Sequence, residues 1–243
     1  ATLLGSANTD WQSQIYQSAL STDHNINVTG GLKNMPYRAS IGYTNQNGIL
    51  KTSNFERFTG ALNVNPSFLD DHLKVNLNAK GMIVKNRFAD AGAIGAATVM
   101  DPTQTVTSSD EPYKTQFGGY WQWINKDANG NFSTWNNLSV GNPVASLMQK
   151  RDISNAKEYI VSAAAAPKLH FLQEKKAHQN MSADVIDSRE TFNNEITATS
   201  NYPHGYDGWE KGYKSNTSLK CYLQYNKEFS NQKLDVMGGY EWQ

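Results

Sequence analysis

Between Phe55 and Phe88 apolar and polar positions alternate so regularly that the stretch reads as two long strands folded about a tight polar turn. The first strand covers Phe58 to Asn65 and the second starts at Leu73. In the second, Leu73, Val75, Leu77 and Ala79 share one face and Lys74, Asn76, Asn78 and Lys80 the other, because successive strand side chains point to opposite sides. Asp70 and Asp71 supply the turn. A run of about ten residues or more exceeds the usual strand of about five or six. It suits a strand that crosses a bilayer, which takes about nine to eleven tilted residues. A long hairpin of a soluble β-sandwich gives the same pattern, so this hairpin alone leaves both architectures open.

The rest of the chain extends the pattern. Thr9 with Gln12 three positions on forms a capping box, and Trp11, Ile15 and Ala19 recur at helical spacing, so the sequence predicts a short helix over residues 9–20. A short strand through Ile26 and Val28 follows, then a turn over Leu32 to Met35. Tyr37, Ala39, Ile41 and Tyr43 line one face of the next strand, with an aromatic at either end of the face. Beyond Phe88 the alternation stops. It resumes in Tyr159, Val161, Ala163, Ala165, Leu169 and Phe171, where Pro167 is expected to make the strand irregular. A turn near Gln173 to Lys176 leads to Ala177, Gln179, Met181, Ala183 and Val185. The last two strands carry Tyr213, Leu219, Cys221, Leu223 and Tyr225, then Leu234, Val236, Gly238, Tyr240 and Trp242, with a turn at Ser230 to Gln232.

The expected fold is therefore all-β: about eight antiparallel up-and-down strands with a short N-terminal helix and long loops. Short turns at 32–35, 70–71, 173–176 and 230–232 alternate with longer connections at 46–54, 87–155 and 187–212. Short turns at one end and long loops at the other mark an outer-membrane barrel. A small hairpin is expected inside the longest connection, around Asn129-Gly130.

Composition removes several function classes. Lys plus Arg equals Asp plus Glu, at 22 each, so no global field points to nucleic acid. Mean hydropathy is -0.63, and no run of about eighteen apolar residues offers a membrane helix, which leaves a membrane barrel open. Cys221 is the single cysteine, and His24, His72, His170, His178 and His204 show neither metal-site nor triad spacing. Asp127 to Asn131 resembles half of a calcium loop, but the later glutamate is missing and the stretch reads as a turn. No catalytic constellation, metal site or cofactor motif stands out.

The order of several segments resembles the SusC/RagA family of TonB-dependent outer-membrane transporters. They are Asn8 to Gln12, Ile26 to Gly31, Tyr37 to Gly48, Phe55 to Phe58, Leu73 to Val75, Asp101-Pro102-Thr103-Gln104, Gly141-Asn142-Pro143-Val144 and Asp235 to Gln243. The resemblance covers essentially the whole chain. It implies a non-enzymatic, multi-pass barrel in the outer membrane of a Gram-negative bacterium of Bacteroidetes type. The transporter would import oligosaccharides or peptides, with a SusD-like surface lipoprotein as lid and TonB as energy source. Family members have an N-terminal plug and a barrel of about twenty-two strands. Residues 1–24 are then expected to be an extracellular connection and residues 25–243 a partial barrel without plug or TonB box. Against the family pattern, Ser162 to Pro167 is poor in large side chains, which thins the lipid face or bends the strand.

Two sets of candidate residues follow from the resemblance. Arg38, Ser40, Asn63, Asn76, Asn78 and Lys80 would line the lumen or meet the plug. Tyr120, Trp121, Trp123 and Trp135 would present flat apolar faces to sugar rings or apolar peptide side chains, or pack the long loop internally. The alternative of another class is a soluble β-rich carbohydrate-binding or adhesive module, in which a second sheet covers the apolar face.

Overall fold

The computed structural model describes residues 4–167, 175–199 and 202–243. Leu169, His170, Phe171 and the Gln173 side of the turn expected at 173–176 lie outside the described residues. In chain order the elements are α1 (Trp11–Ile15), β1 (Ser21–Leu32), β2 (Met35–Asn47), β3 (Asn54–Val64), β4 (Ser67–Phe68) and β5 (Leu73–Phe88). Then come α2 (Gly92–Val99), α3 (Tyr113–Gln116), β6 (Ile124–Lys126), β7 (Phe132–Trp135) and α4 (Pro143–Gln149). The chain finishes with β8 (Lys150–Pro167), β9 (Lys175–Asn194), β10 (Tyr206–Phe229) and β11 (Gln232–Trp242).

The long strands form one antiparallel sheet in the order β1-β2-β3-β5-β8-β9-β10-β11, and the short β4 pairs with the start of β5. Neighbours in sequence are neighbours in space, so the sheet is an up-and-down meander. It is open, with β1 and β11 at its edges. Because directly paired residues share a face, the register extends the sequence alternation across strands. Ile26, Ile41, Gly60, Gly81, Tyr159 and Val185 form one row, and Val28, Ala39, Leu62, Ala79, Val161 and Ala183 the next. Glycine has a packing use here. The ring of Tyr159 lies beside Gly81, 3.8 Å from where a Cβ would stand, and the Tyr37 ring covers Gly30 so closely that a Cβ would meet it at 2.6 Å.

Among the described residues this apolar face has no second layer on it: Ile26 is 68% exposed, Val161 55% and Leu223 58%. The buried apolar side chains lie elsewhere. Trp11, Ile15, Ala93, Ala97, Met100, Val144 and Leu147 form a core at one end of the sheet, with Leu50, Val106, Tyr120, Trp121 and Val140 packed around it. We refer to this unit as the loop platform.

Several expected boundaries are corrected. Helix α1 is shorter than residues 9–20, and its N-cap is Asp10, whose carboxylate accepts from the Ser13 N–H at 3.2 Å. Thr9 is drawn off into a tertiary contact, its hydroxyl donating to the Gln104 carbonyl at 2.6 Å. The sheet begins at Ser21 rather than residue 25. The connection expected at 87–155 spans 89–149 and is built from α2, α3, the β6–β7 hairpin and α4. The one expected at 187–212 spans 195–205, because β9 runs on to Asn194 and β10 starts at Tyr206. Pairing of β8 with β5 runs in register from Asp152 to Pro167, where the strand ends, and the rest of the strand expected through Phe171 lies outside the described residues. The connections 48–53, 89–149 and 195–205 share one end of the meander, and the turns at 33–34 and 230–231 share the other.

Candidate functional site

The second face of the sheet is polar. One ladder row reads Thr29, Arg38, Asn63, Asn78, Ser162, Ser182 and Ser218 across seven strands. The next reads Asn27, Ser40, Ala61, Lys80, Ile160, Asp184 and Asn216. Neighbouring side chains on this face bond to one another. The Arg38 guanidinium donates to Asn27 Oδ1 at 3.3 Å, Asn65 donates to Asn63 at 2.5 Å and in turn accepts from Asn76, and the Ser182 and Ser218 hydroxyls lie 2.7 Å apart. The six residues expected to face a lumen thus share one face, and the register brings Arg38, Asn63 and Asn78 into a single row.

Toward the short-turn end this face is grooved. A cavity of about 720 Å³ is lined by Lys74, Asn76, Asn180 and Lys220, with His178 stacked on Tyr222 at 4.6 Å and 12°. Sequence reasoning did not single out His178 or Tyr222. Their pairing depends on the β9–β10 register, which no local motif announces.

The aromatic candidates lie in the platform. Tyr120 and Trp121 pack against its core, the Trp121 ring stacks on Tyr113 at 6.1 Å and 22°, and Trp123 meets Trp121 edge-on at 4.8 Å. Trp135 closes the β6–β7 hairpin opposite Ile124, and its buried indole N–H has no protein acceptor among the described residues. All four rings are half-buried, so each keeps part of its surface open beside its packing contacts. The Asp127 carboxylate accepts from the N–H groups of Asn129 and Asn131 at 2.9 and 2.8 Å, the expected turn. Burial raises the phenols of Tyr113, Tyr120 and Tyr202 above their ordinary range, with Asp110 adding to the effect at Tyr113 and Glu195 at Tyr120.

Two motifs hold the platform in shape. Asn142 sits at the N-cap of α4, its side-chain oxygen accepting from the N–H groups of Val144 and Ala145 at 3.0 and 3.2 Å. Its amide donates to the carbonyls of Val106 and Trp121 at 2.8 and 3.0 Å, and its own N–H donates to Gln122 Oε1 at 2.9 Å. One buried residue therefore fixes both the helix and the aromatic run. Asp101 clips the N-terminal segment: its carboxylate accepts from Thr103, which turns the chain so that the Asp101 and Pro102 carbonyls accept from the Trp11 indole and the Thr9 N–H at 2.9 and 2.8 Å. Connection 195–205 joins the same body. Gln149 donates to the Phe117 carbonyl and to Thr197 at 3.1 and 2.9 Å, and the Tyr202 ring stacks on Phe117 at 5.1 Å. The buried glutamines Gln122 and Gln149 went unnoticed in the sequence, since nothing local marks a buried amide.

An open meander with one uncovered apolar face, one polar face and its long connections at one end is a segment of a transmembrane β-barrel. Comparison with known proteins agrees. The chain is 43% identical to the TonB-dependent receptor SusC of Bacteroides thetaiotaomicron, over 99% of this chain and 24% of that receptor. It is 29% identical to the TonB-dependent receptor P3 of Formosa agariphila, over 98% of this chain and 23% of that protein. Among solved structures, the RagAB peptide importer in its closed-closed state superposes with a TM-score of 0.69 at 19% identity, covering 98% of this chain and 26% of that one, which shows a shared fold. No protein-family model matches. The chain belongs to the SusC/RagA family of TonB-dependent outer-membrane transporters, as a segment of the barrel. It spans about a quarter of the length of the curated relatives it matches.

Proposed function

We propose that this chain forms part of the wall and the extracellular platform of an outer-membrane importer of oligosaccharides or peptides. The observation that carries this reading is the division of the sheet into an uncovered apolar face and a hydrogen-bonding polar face, strand after strand. Lipid covers the first. The second lines the lumen, where Arg38, Ser40, Asn63, Asn76, Asn78 and Lys80 meet the substrate or the plug. Neutral amides and hydroxyls there donate and accept at once, which suits hydroxylated sugars and peptide backbones. Tyr120, Trp121, Trp123 and Trp135 stand at the extracellular mouth, where their open edges stack on captured substrate beneath a SusD-like lipoprotein lid. TonB acts through a segment outside this chain.

The test is uptake by cells whose receptor gene is deleted and then restored. Fluorescent oligosaccharide or peptide pools should enter with the restored receptor and stop entering when the proton gradient is collapsed or the lipoprotein is removed. Uptake that survives deletion of the receptor sinks the proposal. A receptor that stays monomeric in buffer without detergent returns the soluble binding module to first place.

A further inference from the structure

The outer face changes character where the apolar rows end toward the platform. Tyr43, Phe58 and Ile83 share the last row of the band, and on β8 and β9 that row already carries Lys157 and Asp187. The following row joins Lys85, Asn155, Arg189 and Lys211, and the one after it Arg87, Ile153, Thr191 and Trp209. Arg151 follows on β8. With strands about 4.8 Å apart and alternate residues about 6.7 Å apart, these cations occupy a patch about 20 Å across.

The patch holds more positive charge than its own anions answer. Glu56, Asp187 and Asp207 share the face, and among the described residues the ion pair formed there is Lys211 to Asp187 at a long 3.8 Å. Arg189 and Lys211 stand directly opposite each other in the ladder, an unfavourable pairing of like charges. Arg151 stands close enough to repel Arg87, whose buried Nε has no hydrogen-bond partner among the described residues. Aromatic side chains mark the same level: Trp209 is 62% exposed under the Arg189 guanidinium, 5.1 Å from its ring, and Tyr213 is 68% exposed.

We propose that Lys85, Arg87, Arg151, Lys157, Arg189 and Lys211 bind the phosphate groups of an outer-leaflet membrane lipid whose acyl chains lie on the apolar band below. This rests on the membrane reading of the sheet. In a bilayer the patch stands at headgroup height on the platform side. A lipid there places its chains on Ile83, Tyr159 and Val185 and its phosphate among guanidinium and ammonium donors, which match phosphate oxygens in charge and geometry. Lipid phosphate then supplies the anions that the strands lack.

The test uses the full-length receptor in nanodiscs of phosphatidylcholine alone or with phosphatidic acid, compared as wild type, the triple variant Arg87→Gln/Arg151→Gln/Arg189→Gln, and the platform control Lys114→Gln/Lys126→Gln. Native mass spectrometry counts the phosphatidic acid retained on release from the disc. Wild type and control should retain it, and the triple variant should retain it on the order of a hundredfold less tightly, at about fivefold per cation. Inorganic phosphate as competitor should displace little of it, because the chains contribute. Equal retention by the triple variant overturns the inference while leaving the membrane reading intact. Competition by inorganic phosphate as effective as by the lipid overturns the lipid assignment. Failure of the wild-type receptor to enter phosphatidylcholine discs overturns the membrane reading and the inference together.

Discussion

The loop platform and the sheet use apolar side chains in opposite ways. In the platform Trp11, Ile15, Phe117 and Leu147 are at most 3% exposed, and the aromatic rings stack on one another. In the sheet Ile26, Val161, Met181 and Leu223 are all more than half exposed, although each is paired in the backbone ladder. The platform is therefore held by its own core, as a water-soluble unit is. The sheet is held by hydrogen bonds and needs an external apolar phase on one side. A single chain thus carries two solvent requirements, and the boundary between them falls where Ile83 gives way to Lys85 and Tyr159 to Lys157.

That difference is breakable from either side. The largest effect is expected in the platform. Phe117→Ala empties a fully buried ring site between Tyr113, Phe132 and Tyr202, at a cost of about 3–5 kcal/mol. Hydrogen exchange across residues 89–149 of the full-length receptor should accelerate, while exchange in β8 and β9 stays unchanged. In the sheet, Val161→Arg puts a charge on the lipid face at a cost of about 2–4 kcal/mol near mid-band, whereas the neighbouring Ser162→Arg on the lumen face costs far less. Urea unfolding of the receptor from liposomes measures both; equal effects at the two positions would contradict the division of faces.

Asn142→Ala removes a helix cap and takes the amide donor from the Trp121 carbonyl, while the Val106 carbonyl keeps the Trp121 N–H, at about 1–3 kcal/mol. It should raise protease nicking around Trp121 without altering the sheet. The smallest effect concerns the Asp101 clip. Hydrogen bonds from the Thr103 backbone and hydroxyl, and from Gln104, hold this carboxyl below its usual range. Its contribution is complete above the ordinary carboxylate pKa and is lost as pH falls through the lower, folded value. Release of residues 4–11 to protease should therefore rise only in acid for the wild type, and already at neutral pH for Asp101→Ala.

The strands were legible because an uncovered apolar face and a hydrogen-bonding polar face take alternate residues, as in Leu73 to Gly81. The turn at Asp70-Asp71 and the Asn129-Gly130 hairpin were legible from turn chemistry. The upper parts of β9 and β10 were not. Beyond Asp187 both faces carry polar side chains, so Arg189 and Glu190 sit side by side and the alternation vanishes although the ladder continues to Asn194. Helix α2 stayed hidden because Gly92–Val99 is apolar and small on every side and shows no helical stripe. For α4 a signal existed: Asn142 followed by Pro143 is an N-cap with proline at the first helical position. The loop aromatics were visible as a group, but whether a ring packs or waits for a ligand depends on partners such as Tyr113 and Tyr202, which lie far off in sequence.

Spin labels along β8 separate the face that meets lipid from the face proposed to line the lumen. In the full-length receptor with Cys221→Ser, single cysteines are placed at each residue from Tyr159 to Ala165 and read in liposomes for collision with oxygen and with a water-soluble nickel chelate. Alternation with period two is expected: oxygen dominates at positions 159, 161, 163 and 165, the nickel chelate at 160, 162 and 164. A flat profile, or chelate access at Val161 and Ala163 equal to that at Ser162, would contradict it.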